Sequence, residues 1–150
     1  MEELDLSKYL PDLDAFMAGI SQFLRILVMV GPLAIFGLGL FYFLAAPKEA
    51  NHSIGYRFRY GMAKARSWQF MQRAAGVIFS VMGLVLTIVM AIQCARIKTL
   101  EPMKMAGEAA KLILWQIGCV IGANIVTNIT VMVVFDSEGN RRSDFRGMRL

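Results

Sequence analysis

Metal binding and most side-chain catalysis draw on residue types that are scarce in this sequence. There is one histidine, His52, and there are two cysteines, Cys94 and Cys119. The cysteines fall near the end of one apolar run and within another, with no C-x-x-C spacing, which argues against a zinc site and against a disulfide framework. No nucleophile stands beside a paired base, no carboxylate pair lies inside an apolar run, and no glycine loop has phosphate-binding spacing. An enzyme is therefore the least expected class, and no metal or cofactor is implied. Charged residues make up only 18% of the chain, against roughly 25% in soluble domains. The first fourteen residues carry Glu2, Glu3, Asp5, Asp12 and Asp14 against a lone Lys8. They lack the basic start of a secretory signal, so no cleavable leader is expected.

What the chain has is apolar length. Of its 150 residues 57% are hydrophobic, compared with roughly 45–50% in soluble domains, and the mean hydropathy is +0.53. Uncharged runs over residues 26–46, 74–92 and 112–135 are each long enough to cross a bilayer as a helix. The expected fold is all-α, an integral membrane three-helix bundle. Residues 1–25 form an acidic N-terminus in which Leu13, Phe16, Met17 and Ile20 follow helical spacing, and the expectation is a short interfacial amphipathic helix, the alternative being an early start of the first span. Pro32 beside Gly31 should kink the first span, which a membrane helix tolerates where a neighbour or water satisfies the freed carbonyl. Residues 47–73 form a first connection. Residues 93–111 form a second one, basic and interrupted by Pro102, and residues 136–150 an Arg-rich tail.

The net charge of +5 does not point to nucleic acid, because the basic residues flank apolar runs. Anionic headgroups and the topogenic preference for retaining Lys and Arg inside explain them. Lys48, Arg57, Arg59, Lys64, Arg66 and Arg73 in the first connection join Arg141, Arg142, Arg146 and Arg149 in the tail. At the other side stand Lys8, Arg25, Arg96, Lys98, Lys104 and Lys111. The imbalance places the N-terminus outside and the C-terminus inside a multi-pass protein.

The first connection carries the most specific pattern, Pro47-Lys48-Glu49-Ala50-Asn51-His52-Ser53-Ile54-Gly55-Tyr56-Arg57, running on through Arg59 and Met62 to Trp68. Asn51 and Ser53 can bond their own backbone in a turn, and Gly55 can take a positive φ. That geometry would hold Tyr56 and Arg57 at the membrane face, Arg57 with a donor fork for a carboxylate or phosphate and Trp68 with a ring face at interfacial depth. The plainer reading is a topogenic cluster with an ordinary aromatic belt. His52, a residue that titrates near neutrality, is either a pH sensor or a turn residue.

This run, with Trp68 just ahead of a span opening Ala75-Gly76, resembles the signature loop of the SdpI/YfhL-type bacterial membrane proteins. In these an asparagine, a Gly-Tyr-Arg and a downstream tryptophan recur between the first two helices of a three-helix unit. The resemblance covers about residues 26 to 95, and the third span by hydropathy alone. It implies that Asn51, Gly55, Tyr56, Arg57 and Trp68 matter for activity, in a bacterial cytoplasmic membrane. Phe58 stands where threonine is usual and Met71-Gln72 where a small residue and asparagine are usual, so a polar contact of the relatives is expected to be missing. The best-understood members protect a cell from a membrane-active peptide toxin and can sequester a transcriptional repressor at the membrane.

Within the third span Gln116, Asn124, Thr127 and Asn128 place polar groups where unsatisfied ones are costly, either bonding across the bundle or lining a polar cavity. Gly118 and Gly122 form a G-x-x-x-G that permits close helix packing and a homo-oligomer. The leading expectation is an immunity or signalling protein binding a peptide toxin, a lipid headgroup or a membrane-sequestered regulator through the first connection, its site including Asn51, His52, Gly55, Tyr56, Arg57, Arg59 and Trp68. The alternatives are a small lipid or solute carrier, or an accessory subunit, with Pro32, Asn124 and Asn128 along a pathway, and a scaffold using the tail.

Overall fold

A computed structural model describes residues 13–51 and 53–142. The acidic start of the chain, His52, and Arg146 and Arg149 of the tail lie outside the described residues. Four helices follow in order: α1 (Leu13–Leu44), the single-turn α2 (Arg59–Met62), α3 (Ala65–Ile97) and α4 (Pro102–Val134). Three of them, over Ala15–Leu44, Ala65–Ile97 and Met103–Val134, are long and apolar enough to cross a membrane. Their outward faces carry half-exposed Val85, Ile88, Ile121, Ile125 and Ile129. An apolar surface this continuous suits lipid as solvent and not water.

Three sequence expectations change. The region from Leu13 to Arg25 is not a separate interfacial helix, because its backbone continues unbroken into α1. Its apolar residues Phe16 and Phe23 stay largely exposed on that helix. The second connection shrinks to residues 98–101, since Pro102 occupies the first position of α4, where its missing N–H costs nothing and its fixed φ suits helix entry. Finally, Gly118 and Gly122 do not pack helices within the chain, because a Cβ added at either meets nothing within 4 Å.

Close packing falls instead between α1 and α3. A Cβ at Gly39 would come within 2.3 Å of the Ser80 backbone nitrogen, one at Gly76 within 2.7 Å of Phe43, and one at Gly83 within 2.4 Å of the Phe36 backbone. The absent side chains let the two backbones meet, and in lipid such packing replaces the hydrophobic drive between helices. α4 is tied to α1 by a different device. Pro32 removes the N–H that Val28 O would accept, and Gln116 Nε2 donates to that oxygen at 3.0 Å. Gly31 leaves room for the amide, since a Cβ there would reach within 2.5 Å of Gln116 Oε1.

The two halves of the interior differ. At the end where α1 stops and α3 starts, Tyr56, Trp68, Met71, Ala75, Phe79, Ala123 and Val131 form one core cluster. Toward the other end Val28, Met90 and Ala109 form a smaller one. The first connection and the described part of the tail therefore share one end of the bundle.

Candidate functional site

The first connection is held down at successive points by α3. The Trp68 indole donates Nε1–H to Pro47 O at 2.6 Å, and Gln69 Nε2 donates to Lys48 O at 3.2 Å. Asn51 Oδ1 then accepts Ser53 N–H at 3.0 Å and Ile54 N–H at 2.7 Å, the Asx turn that its residue type favours. Gly55 follows with φ +110°. A Cβ there would be strained by conformation and would also strike the Trp68 ring at 2.9 Å. The turn redirects the chain inward, and Tyr56 enters the bundle.

Tyr56 is clamped by one side chain. Its N–H donates to Gln72 Oε1 at 2.8 Å and its carbonyl accepts Gln72 Nε2–H at 2.6 Å, so a single buried amide satisfies both backbone groups. Gln72, one of the positions that depart from the family pattern, thus makes a polar contact of its own here. The Tyr56 ring lies between Tyr42, at a centroid distance of 6.1 Å, and Phe79, at 5.8 Å. Its hydroxyl donates toward Asn128 Oδ1 at 2.9 Å and Asn124 Oδ1 at 3.1 Å. One proton serves one acceptor at a time; a half-turn of the Asn128 amide would convert the Asn128 contact into an N–H given to the hydroxyl oxygen and leave the proton to Asn124 Oδ1. Asn124 is oriented by its own Nδ2–H bond to Val120 O at 2.9 Å. Burial, with Tyr42 alongside, raises the Tyr56 hydroxyl pKa, so the phenol is neutral at physiological pH.

This geometry divides the expected site residues. Tyr56 is 9% exposed and Trp68 is 0% exposed, so neither presents a face to the membrane surface. They position the loop. The helical spacing of Trp68, Met71, Ala75 and Phe79 puts all four on the buried face of α3. Arg57 and Arg59 are exposed at the loop's exit. Phe58 stacks on Tyr60 at 5.5 Å. Asn124 and Asn128 join the loop's anchor, whereas Thr127 turns back to Ala123 O at 2.8 Å and Gln116 serves the proline site.

Gln72, Tyr42, Pro47 and Lys48 belong to the site without having been singled out. Gln72 carried a signal as a departure from the family pattern, but the backbone carbonyls carried none. Beside the loop a cavity of about 220 Å³ is lined by Tyr42, Pro47, Lys48, Gln69, Gln72 and Arg73 among others. Its lining includes two cations, Lys48 and Arg73, while the Gln69 and Gln72 amides are already bonded to the loop. Among the described residues no three His, Cys, Asp or Glu side chains converge as metal ligands.

The sequence model described as the SdpI/YfhL protein family matches residues 48–135. The match takes in the loop and the whole of α3 and α4. Comparison with curated proteins and with solved structures gave no match.

Proposed function

The chain belongs to the SdpI/YfhL protein family, and from that premise we propose that it is an immunity or signalling protein of the bacterial cytoplasmic membrane that meets its partner at the loop after α1. The observation that carries this reading is the anchoring of the loop. Trp68, Gln72, Asn124 and Asn128 hold residues 47–56 against two helices while Arg57 and Arg59 remain exposed just beyond. Committing a buried tyrosine, a buried tryptophan, the buried Gln72 amide and two half-buried asparagines to one loop pre-organises whatever the loop presents, which lowers the ordering cost of binding. Exposed guanidinium groups on such a mount suit a carboxylate or phosphate of a peptide or lipid partner.

The role carries no catalytic step. The residues that motivate a carrier are engaged within the bundle: Asn124 and Asn128 with Tyr56, and the carbonyl freed by Pro32 with Gln116. The test is a challenge assay in cells exposed to a membrane-permeabilising peptide of a related strain. Wild-type protein should protect, Arg57→Ala should lose protection at equal membrane abundance, and Arg57→Lys should retain part of it. Equal protection by wild type and Arg57→Ala would remove the loop from the mechanism.

A further inference from the structure

A second cationic site lies at the same end of the bundle, apart from Arg57. After α4 the chain turns through residues 136–140 and returns, pairing Phe135 with Arg141 in an antiparallel bridge, with Arg142 N–H donating to Val134 O at 3.1 Å. The turn is seated on the first turn of α3. Gly139, at φ +73°, lies so close that a Cβ would come within 2.9 Å of Ser67 Oγ and 3.1 Å of Lys64 N. Lys64 Nζ also donates to Asn140 Oδ1. The docking creates an open cleft of about 740 Å³ whose lining includes Lys64, Arg66, Arg141 and Arg142 against the single carboxylate of Asp136.

That carboxylate is turned to its own backbone. Asp136 accepts Asn140 N–H at 2.7 Å, Glu138 N–H at 3.0 Å and Asn140 Nδ2–H at 3.3 Å. These bonds, with Lys64 nearby, hold its pKa below the ordinary carboxylate range, so it stays ionised while its lone pairs are spent on the turn. Four cations thus meet Asp136 in the lining, and with Glu138, whose carboxylate accepts Asn140 Nδ2–H at 3.4 Å on the same turn, a surplus of two positive charges is gathered around the cleft. It lies at the positive end of α3, whose first turn holds no acidic residue. α3 has 33 residues, about 50 Å at helical rise, against about 30 Å of hydrocarbon. Its uncharged run begins only at residue 74, so the turns from Ala65 that precede it suit the depth of lipid phosphates.

We propose that this cleft binds a phosphate-bearing anion, in the membrane the headgroup of an anionic phospholipid. The turn after α4 then acts as a clasp, bringing Arg141 and Arg142 to the cations that precede and open α3. The site is separate from the loop anchored by Tyr56, and it stands or falls independently of the role given to Arg57.

The experiment uses the full chain in neutral detergent, with lipid binding counted by native mass spectrometry. The probes are dioleoylphosphatidylglycerol, dioleoylphosphatidylcholine and inorganic phosphate. Wild-type protein should bind the glycerol lipid more tightly than the choline lipid. Arg66→Gln with Arg142→Gln should weaken the former on the order of twentyfold, about fivefold per cation at a membrane surface. Arg66→Lys with Arg142→Lys should keep most of the affinity, which separates charge from folding. Lys98→Gln with Lys104→Gln, at the opposite end, should change nothing. Displacement of the lipid by millimolar inorganic phosphate would support a site that reads the phosphate alone. Phosphatidylglycerol binding that resists free phosphate but falls in the Gln pair would support one that reads the lipid headgroup. Equal affinity for the two lipids, or a preference untouched by the Gln pair, would overturn the proposal.

Discussion

Tyr56 has one hydroxyl proton, and two asparagines of α4 face it, so the strength of the loop's anchor can be measured at a single oxygen. Tyr56→Phe keeps the ring between Tyr42 and Phe79 and removes only the hydroxyl. The expected loss is about 1 kcal/mol, read as a fall in thermal unfolding temperature in detergent. A double-mutant cycle with Asn128→Leu should give a coupling of about 0.6 kcal/mol, as for other interhelical hydrogen bonds in membranes. A cycle showing no coupling would mean that the hydroxyl and the amide are neighbours without being partners. Part of this site was legible in the sequence. Asn51 and Gly55 sit in a turn that their residue types dictate, and Gly55 takes the positive φ expected of it. The direction of Tyr56 was not legible, because a loop residue's face depends on the backbone on either side. Trp68 was misplaced for a different reason. A tryptophan near a span edge suits an interfacial belt, yet its register with Met71, Ala75 and Phe79 puts it in the core. Helical register, and not nearness to the span edge, decides its depth.

At the scale of the helix, Pro32 and Gln116 form a pair whose logic is chemical. The proline deletes a donor and the glutamine, on another helix, restores one to Val28 O. Gln116→Leu should destabilise the bundle by about 1–3 kcal/mol, because it leaves a buried carbonyl unpaired. Adding Pro32→Ala to that variant restores the backbone N–H and should recover much of the loss in unfolding experiments. Failure of that rescue would show that Gln116 acts through packing. The sequence supplied the proline and the need for a donor; it did not say which of the polar residues on α4 would answer it. Glycine spacing did not locate the packing within the chain for a related reason. Gly118 and Gly122 match a dimer motif but face outward, whereas Gly39, Gly76 and Gly83, with no such motif, are where backbones meet. Gly83→Leu should therefore cost about 1–3 kcal/mol through overpacking. Gly118→Leu should leave monomer stability within about 0.5 kcal/mol. Pro102 belongs to the same lesson, since a proline that ends a helix and one that begins it look alike until the preceding helix's end is known.

For the whole molecule, three crossings place the described tail and the first connection at one end and residues 98–101 at the other. The basic surplus at the first end predicts that it faces the cytoplasm. In a background with Cys94 and Cys119 replaced, Thr99→Cys should react with a membrane-impermeant maleimide in intact cells. Ser137→Cys should react only after permeabilisation, and the reverse pattern would invert the topology. Hydropathy alone placed the three spans, because lipid demands long uncharged helices. The mutual packing of those helices depends on small residues and single amides, whose effect emerges only once their faces meet. In the role proposed above, the anchored loop presents Arg57 to a partner in the membrane. In-membrane crosslinking in the native host, with mass-spectrometric identification of what is captured by wild type and by Arg57→Ala, tests it most directly. A defined peptide or regulatory protein should be captured by wild type and lost in the variant. The same capture profile in both, or lipid alone in both, would contradict it.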